Sequence, residues 1–83
     1  MAVQVALENA ILAVAPDAEI KIGLVNGHWS GMVIAPQFES MTHLERQRSV
    51  WNRIRSDLGA QSREVGMLLL YSPQEADSVE TAQ

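Results

Sequence analysis

Apolar positions along the chain change period from block to block, and each period predicts an element. Between residues 3 and 14, Val3, Leu7, Ala10, Ile11 and Val14 recur at helical spacing. Pro16 closes that helix near Val14, because the residue before a proline is pushed out of the helical region. The apolar stripe suits a cover for a sheet. A membrane-surface helix is a poorer fit, since no lysine or arginine lies on the polar side. Residues 19–34 alternate instead, around Asn26-Gly27, a dipeptide that tolerates the positive φ angles of a two-residue turn. Pairing Val25 with His28 sets Leu24 against Trp29, Ile22 against Gly31 and Ile20 against Val33. Those six share one side of the hairpin, and all but Gly31 are large and apolar. A slip of one residue would destroy the match. His28 then turns to the opposite side from Trp29, next to the bend. Gly31 is expected to let a helix approach closely.

Pro36 ends the second strand, and Gln37 to Met41 make a short connection, about one helical turn. Thr42 and Glu45 fit a capping box, each side chain satisfying a free backbone N–H of the other. The helix that follows has the apolar stripe Leu44, Val50, Trp51, Ile54 and Leu58, with Gly59 just past its end. Residues 65–71, VGMLLLY, are continuously apolar, which predicts a strand buried on both faces. Ser72 then caps a helix whose first position is Pro73. Residues 77–83 are polar and expected to fray. No repeat or linker divides the chain, so residues 1–76 form a single domain and 77–83 a polar tail.

The resulting order is α-β-β-α-β with a short C-terminal helix. That is an α/β (α+β) domain in which a hairpin and a strand reached through a helix make a mixed three-stranded sheet. Strand three runs parallel to strand two. Both main helices cover the face that carries Ile20, Ile22 and Trp29, so Trp29 and Trp51 are core residues and not stacking platforms.

Composition narrows the chemistry. Eighty-three residues, 47% hydrophobic and 19% charged, make one small globular domain with a thin core. A net charge of −4 and a pI of about 4.9 argue against a purely electrostatic grip on nucleic acid. There is no cysteine, so disulfides, thiolate metal sites and a cysteine nucleophile are excluded within the chain. His28 and His43 are its two imidazoles. No signal peptide or membrane span is expected, and the expected compartment is the cytoplasm. A glycine-rich phosphate loop, a Ser–His–Asp set and a metal triad are all missing, so no enzymatic activity is expected.

Positive charge concentrates in Arg46, Arg48, Arg53 and Arg55, the candidate nucleic-acid-binding residues within a helix-turn-helix-like segment, 36–55. A step of about 100° per residue puts Arg46 and Arg53 on one flank of the stripe and Arg48 and Arg55 on the other. Their stems are expected to cover the apolar edge while their heads stay in water. His43, on the helix's first turn, is expected in solvent with no chemical role.

Phe38-Glu39-Ser40-Met41, then Leu44-Glu45-Arg46-Gln47-Arg48 and Val50-Trp51, resemble the BolA-like proteins. Their usual pattern there is Phe-Glu-Gly-Met/Lys-Ser, an Arg-His-Arg or a relative, and Val-Tyr. Asn26-Gly27-His28-Trp29 is similar to the end of their first hairpin, and Ser72-Pro73-Gln74-Glu75 to their Thr-Pro-Glu-Glu. The match runs in order over about residues 5–76. The resemblance implies a KH-like (type II) fold and a small non-enzymatic protein that partners a monothiol glutaredoxin in iron–sulfur cluster handling. It also implies a 2Fe–2S cluster shared with that partner, with none held intrinsically. Some members are DNA-binding transcriptional regulators, so DNA is the alternative partner, and the chain is expected to be a monomer or a weak homodimer. Of the family's cluster ligands, only His28 in the hairpin has a counterpart, as a metal ligand shared with a partner. Aligned back from Ser72-Pro73, the family's late histidine falls on Glu64, here an exposed loop acid whose carboxylate suits an iron–sulfur centre poorly. Ser40 replaces the usual glycine. Docking is expected through the hairpin loop and the face near residues 62–67.

Overall fold

The computed structural model describes residues 2–81. Helix α1 spans Val3–Val14, strand β1 Glu19–Val25 and strand β2 His28–Ile34. A 3₁₀ turn, Pro36–Ser40, leads into α2, His43–Leu58. A second 3₁₀ turn, Gly59–Glu64, precedes β3, Val65–Tyr71, and α3 closes the chain at Pro73–Thr81. The last helix therefore continues through residues 77–81 of the expected polar tail; residues 82 and 83 lie outside the described residues. The sheet order is β1-β2-β3, antiparallel across the hairpin and parallel between β2 and β3.

The hairpin register is the one the alternation requires: Val25 with His28, Leu24 with Trp29, Ile22 with Gly31 and Ile20 with Val33. Asn26 and Gly27 hold φ of 50° and 83°, the conformation of a turn whose twist matches that of the flanking strands. Gly31 has a different role from the one expected. A Cβ there would collide with the Lys21 carbonyl oxygen and come 2.8 Å from Ile22 Cα, so the missing side chain admits the neighbouring strand and not a helix.

The core is a single cluster joining α1 (Leu7, Ala10, Ile11), the sheet (Val33, Leu68, Leu70), Phe38 and α2 (Val50, Ile54, Leu58). Ile20, Ile22, Trp29 and Trp51 pack against its margin. The α2 stripe differs from expectation at its start. Leu44 is exposed and Arg46 is buried, because Arg46, Val50, Ile54 and Leu58 recur every fourth residue whereas Leu44 lies about 120° off that line. Leu24 is exposed too, beyond the reach of the covering helices at the hairpin end.

The largest departure concerns β3. Its apolar run is not buried on both faces: Val65, Leu68 and Leu70 are buried, while Met67 is 70% and Leu69 39% exposed. The cluster fills one side of the sheet, and the other side of β3 looks outward.

Candidate functional site

The uncovered sheet face is built by strand alternation. Lys21 pairs with Met32 and Val25 with His28, so these side chains project away from the face that holds Ile22 and Trp29. Met67 and Leu69 join them from β3. Lys21, Val25, Ser30, Gly31, Met32, Met67 and Leu69 line a groove of about 460 Å³. Its walls are apolar, and its two thioethers are flexible side chains that adapt to irregular partner surfaces.

One end of this face brings together the hairpin and the start of β3. The Ser30 hydroxyl accepts a hydrogen bond from the Met67 backbone N–H at 3.1 Å, where β2 and β3 shift register between Trp29 and Gly31. A Cβ on Gly66 would collide with Ser30 Oγ and lie 3.1 Å from His28 Cβ. Glycine at 66 thus lets β3 close onto the hairpin and sets His28 beside the residues around Val65. His28 is exposed, with Nδ1 3.2 Å from the Asn26 carbonyl oxygen. The hairpin end and the 62–67 segment, expected to serve docking, are adjacent in space.

The four arginines of α2 do not share an environment. Arg48, Arg53 and Arg55 are exposed; Arg53 Nε donates to Asp57 Oδ2 at 2.9 Å, and Arg55 donates to Asn52 Oδ1. Arg46 is only 4% exposed and is withdrawn from any nucleic-acid surface. Its Nε donates to the Met41 carbonyl oxygen at 3.1 Å, and its Nη1 to the Leu70 carbonyl oxygen at 3.1 Å and to Glu75 Oε1 at 2.6 Å. The guanidinium also lies over the Phe38 ring, 5.8 Å from its centroid. A buried cation needs acceptors, and Nε and Nη1 find three.

Glu75 is the acid that completes the arrangement, and it was not singled out in the sequence. Its carboxylate accepts from the Ser72 backbone N–H at 2.8 Å, while the Ser72 hydroxyl accepts from the Glu75 N–H at 3.4 Å. Ser72 and Glu75 therefore form a second capping box beside that of Thr42 and Glu45. The Ser72 N–H first, then the Arg46 guanidinium, hold the Glu75 carboxyl down at about 2. His43 Nε2 stands 3.5 Å from Glu75 Oε2 at the rim, with its side chain 73% exposed. The signal in the sequence was the Ser-x-x-Glu spacing at 72–75, together with an arginine on the Val50 stripe.

No group of three or more histidine, cysteine, aspartate or glutamate side chains converges among the described residues, and Glu64 is an exposed acid as expected. His28 stands as a single exposed imidazole. No helix among the described residues is long and apolar enough to cross a membrane.

No protein-family model matches the chain, and no curated protein matches it either. Solved structures do. One is a bolA protein homologue from Coxiella burnetii, 25% identical, with a TM-score of 0.63 over 93% of this chain and 99% of the other. Another is a bol-like protein from Babesia bovis, 19% identical, with a TM-score of 0.65 over 96% of this chain and 95% of the other. The order of elements and the mixed sheet agree with those structures, and the chain has a BolA-like fold.

Proposed function

We propose that this BolA-like chain is a non-enzymatic accessory protein that docks to a monothiol glutaredoxin in iron–sulfur cluster handling. The observation that carries the reading is the contiguity of His28, Ser30, Gly66 and Met67 at one end of an uncovered apolar sheet face. Exposed apolar surface rimmed by polar groups is what protein partners cover. An apolar groove supplies the buried centre of an interface, and the exposed hairpin end supplies its polar rim.

The chain's part is recognition and not chelation. With no thiolate and one imidazole at the docking end, any cluster is held by the partner's own ligands. Binding should therefore occur with cluster-free glutaredoxin. The test is calorimetry with cluster-free and cluster-loaded protein, alongside visible spectra of the mixture. The expected result is binding in both states, lost in Met67→Lys, and a visible spectrum that His28→Ala leaves unchanged. Absence of binding in both states would remove the proposal, and a spectral change abolished by His28→Ala would contradict its non-chelating form.

A further inference from the structure

The two outer edges of the sheet are treated differently. An edge strand presents every second residue's N–H and C=O outward, and natural proteins usually guard them. On β3 the guard is visible: Gln47 Nε2 donates to the Leu68 carbonyl oxygen at 3.0 Å, and Arg46 Nη1 caps the Leu70 carbonyl oxygen. Side chains from α2 thus occupy the edge that another strand would need.

β1 has no such guard. The two-residue turn makes Val25 and His28 a hydrogen-bonded pair, so Glu19, Lys21, Gly23 and Val25 address β2, and Ile20, Ile22 and Leu24 point their backbone groups outward. Among the described residues nothing accepts from or donates to those outward groups. We infer that this edge pairs antiparallel with β1 of a second copy about a two-fold axis at Ile22, joining two sheets into one of six strands.

The register follows from the sequence of the strand, Glu19-Ile-Lys-Ile-Gly-Leu-Val25. Centring on Ile22 uses all seven residues and pairs Ile22 with itself and Ile20 with Leu24, every pair exchanging both backbone hydrogen bonds. Leu24, 61% exposed in the single chain, gains an apolar neighbour. Lys21 falls opposite Gly23, where no side chain obstructs its stem, and Glu19 falls opposite Val25, so no like charges meet. Centring on Lys21 would set the two Lys21 ammonium groups against each other. Centring on Gly23 shortens the overlap and strands Glu19 beyond the turn. One strand pair buries little area for a dimer, so association is weak and depends on concentration.

Sedimentation equilibrium and amide exchange by NMR, run on the whole chain up to millimolar concentration, test this. The mass should rise from that of the 9.1 kDa monomer towards twice that value. Exchange at the amides of Ile20, Ile22 and Leu24 should slow in proportion to the dimer fraction, while Gly23 and Val25 are protected throughout. Leu24→Pro removes an outward donor but no ladder bond within the chain, and should stay monomeric with its β1–β2 ladder intact. Leu24→Lys retains that donor, sets an ammonium against the partner's Ile20, and should weaken the dimer even if the proline variant does not fold. A monomer at millimolar concentration would overturn the inference, as would a dimer with fast exchange at 20, 22 and 24. Neither result depends on glutaredoxin docking, which uses the hairpin end and the open face.

Discussion

The two faces of the sheet are made by the same strands and by residues of similar hydrophobicity, yet they have opposite fates. On one, Val33, Leu68 and Leu70 sit at 0–3% exposure under α1 and α2. On the other, Met67 and Leu69, each adjacent in sequence to a buried leucine, line an open groove with Met32 and Val25. Apolar character therefore does not by itself report burial within a chain. On β3 it is continuous because one half of it serves the core and the other half lines the open groove. A small domain with two long helices has material to cover one face, and the uncovered one retains residues that water alone would not select.

The sharpest way to break that comparison is to truncate adjacent leucines. Leu68→Ala should cost roughly 2–5 kcal/mol, because it leaves a cavity in a close-packed cluster. Leu69→Ala should stay within about 0.5 kcal/mol, as surface changes usually do. Denaturant unfolding of both variants gives the two values side by side; similar losses would mean that the open face is packed in solution.

Next in size is Arg46→Ala. It strips acceptors at Met41 and Leu70 of their donor and leaves Glu75 without its cation, a loss of about 2–3 kcal/mol on the scale of buried unsatisfied polar groups. Arg46→Lys should recover only part of it, since one ammonium cannot reproduce the fork. Arg53→Ala, which removes an exposed pair with Asp57, should cost at most about 0.5 kcal/mol.

Acid titration sharpens the same contrast. Glu75 is held at about 2 in the folded chain, below the ordinary 4.5, so the unfolded chain binds the extra proton first. Its stabilising contribution is complete above the unfolded value and is lost as pH falls through the window from 4.5 towards 2. Glu75→Gln should flatten the slope of stability against pH in that window, measured by urea midpoints. Glu45 is lowered as well, by its contacts with Thr42, but it is exposed and lacks a cation, so Glu45→Gln should change the slope less.

Smallest in stability but largest in binding is Met67→Lys on the open face. It should leave the unfolding midpoint close to wild type while abolishing association with the partner, the reverse of Leu68→Ala per unit of remaining folded protein.

Much of this architecture was legible because its signals are local. Asn26-Gly27 and the alternation of residues 20–33 allow only one register, and Thr42 with Glu45 marks the start of α2. The misreadings share a physical origin. Arg46 reads as a surface charge until Glu75, distant in sequence, supplies its counter-ion, so its burial is a tertiary fact. Its four-residue spacing from Val50 was the available clue. Leu44 reads as core by residue type and fails by angle. Gly31 reads as a gap for a helix, but the sheet fills that gap with the neighbouring strand. The proposed site was legible as two separate segments, the hairpin end and residues 62–67, which the sheet sets side by side. The apolar groove that extends from it was hidden inside the uniform run of β3.

The central claim is that the uncovered face and hairpin end form the docking surface. The most direct measurement is the NMR footprint of cluster-free monothiol glutaredoxin on the labelled chain. The account predicts shift changes confined to residues 25–32 and 64–69, with the exposed arginines of α2 unmoved. A footprint centred on Arg48, Arg53 and Arg55, with Met32, Met67 and Leu69 unchanged, would contradict it.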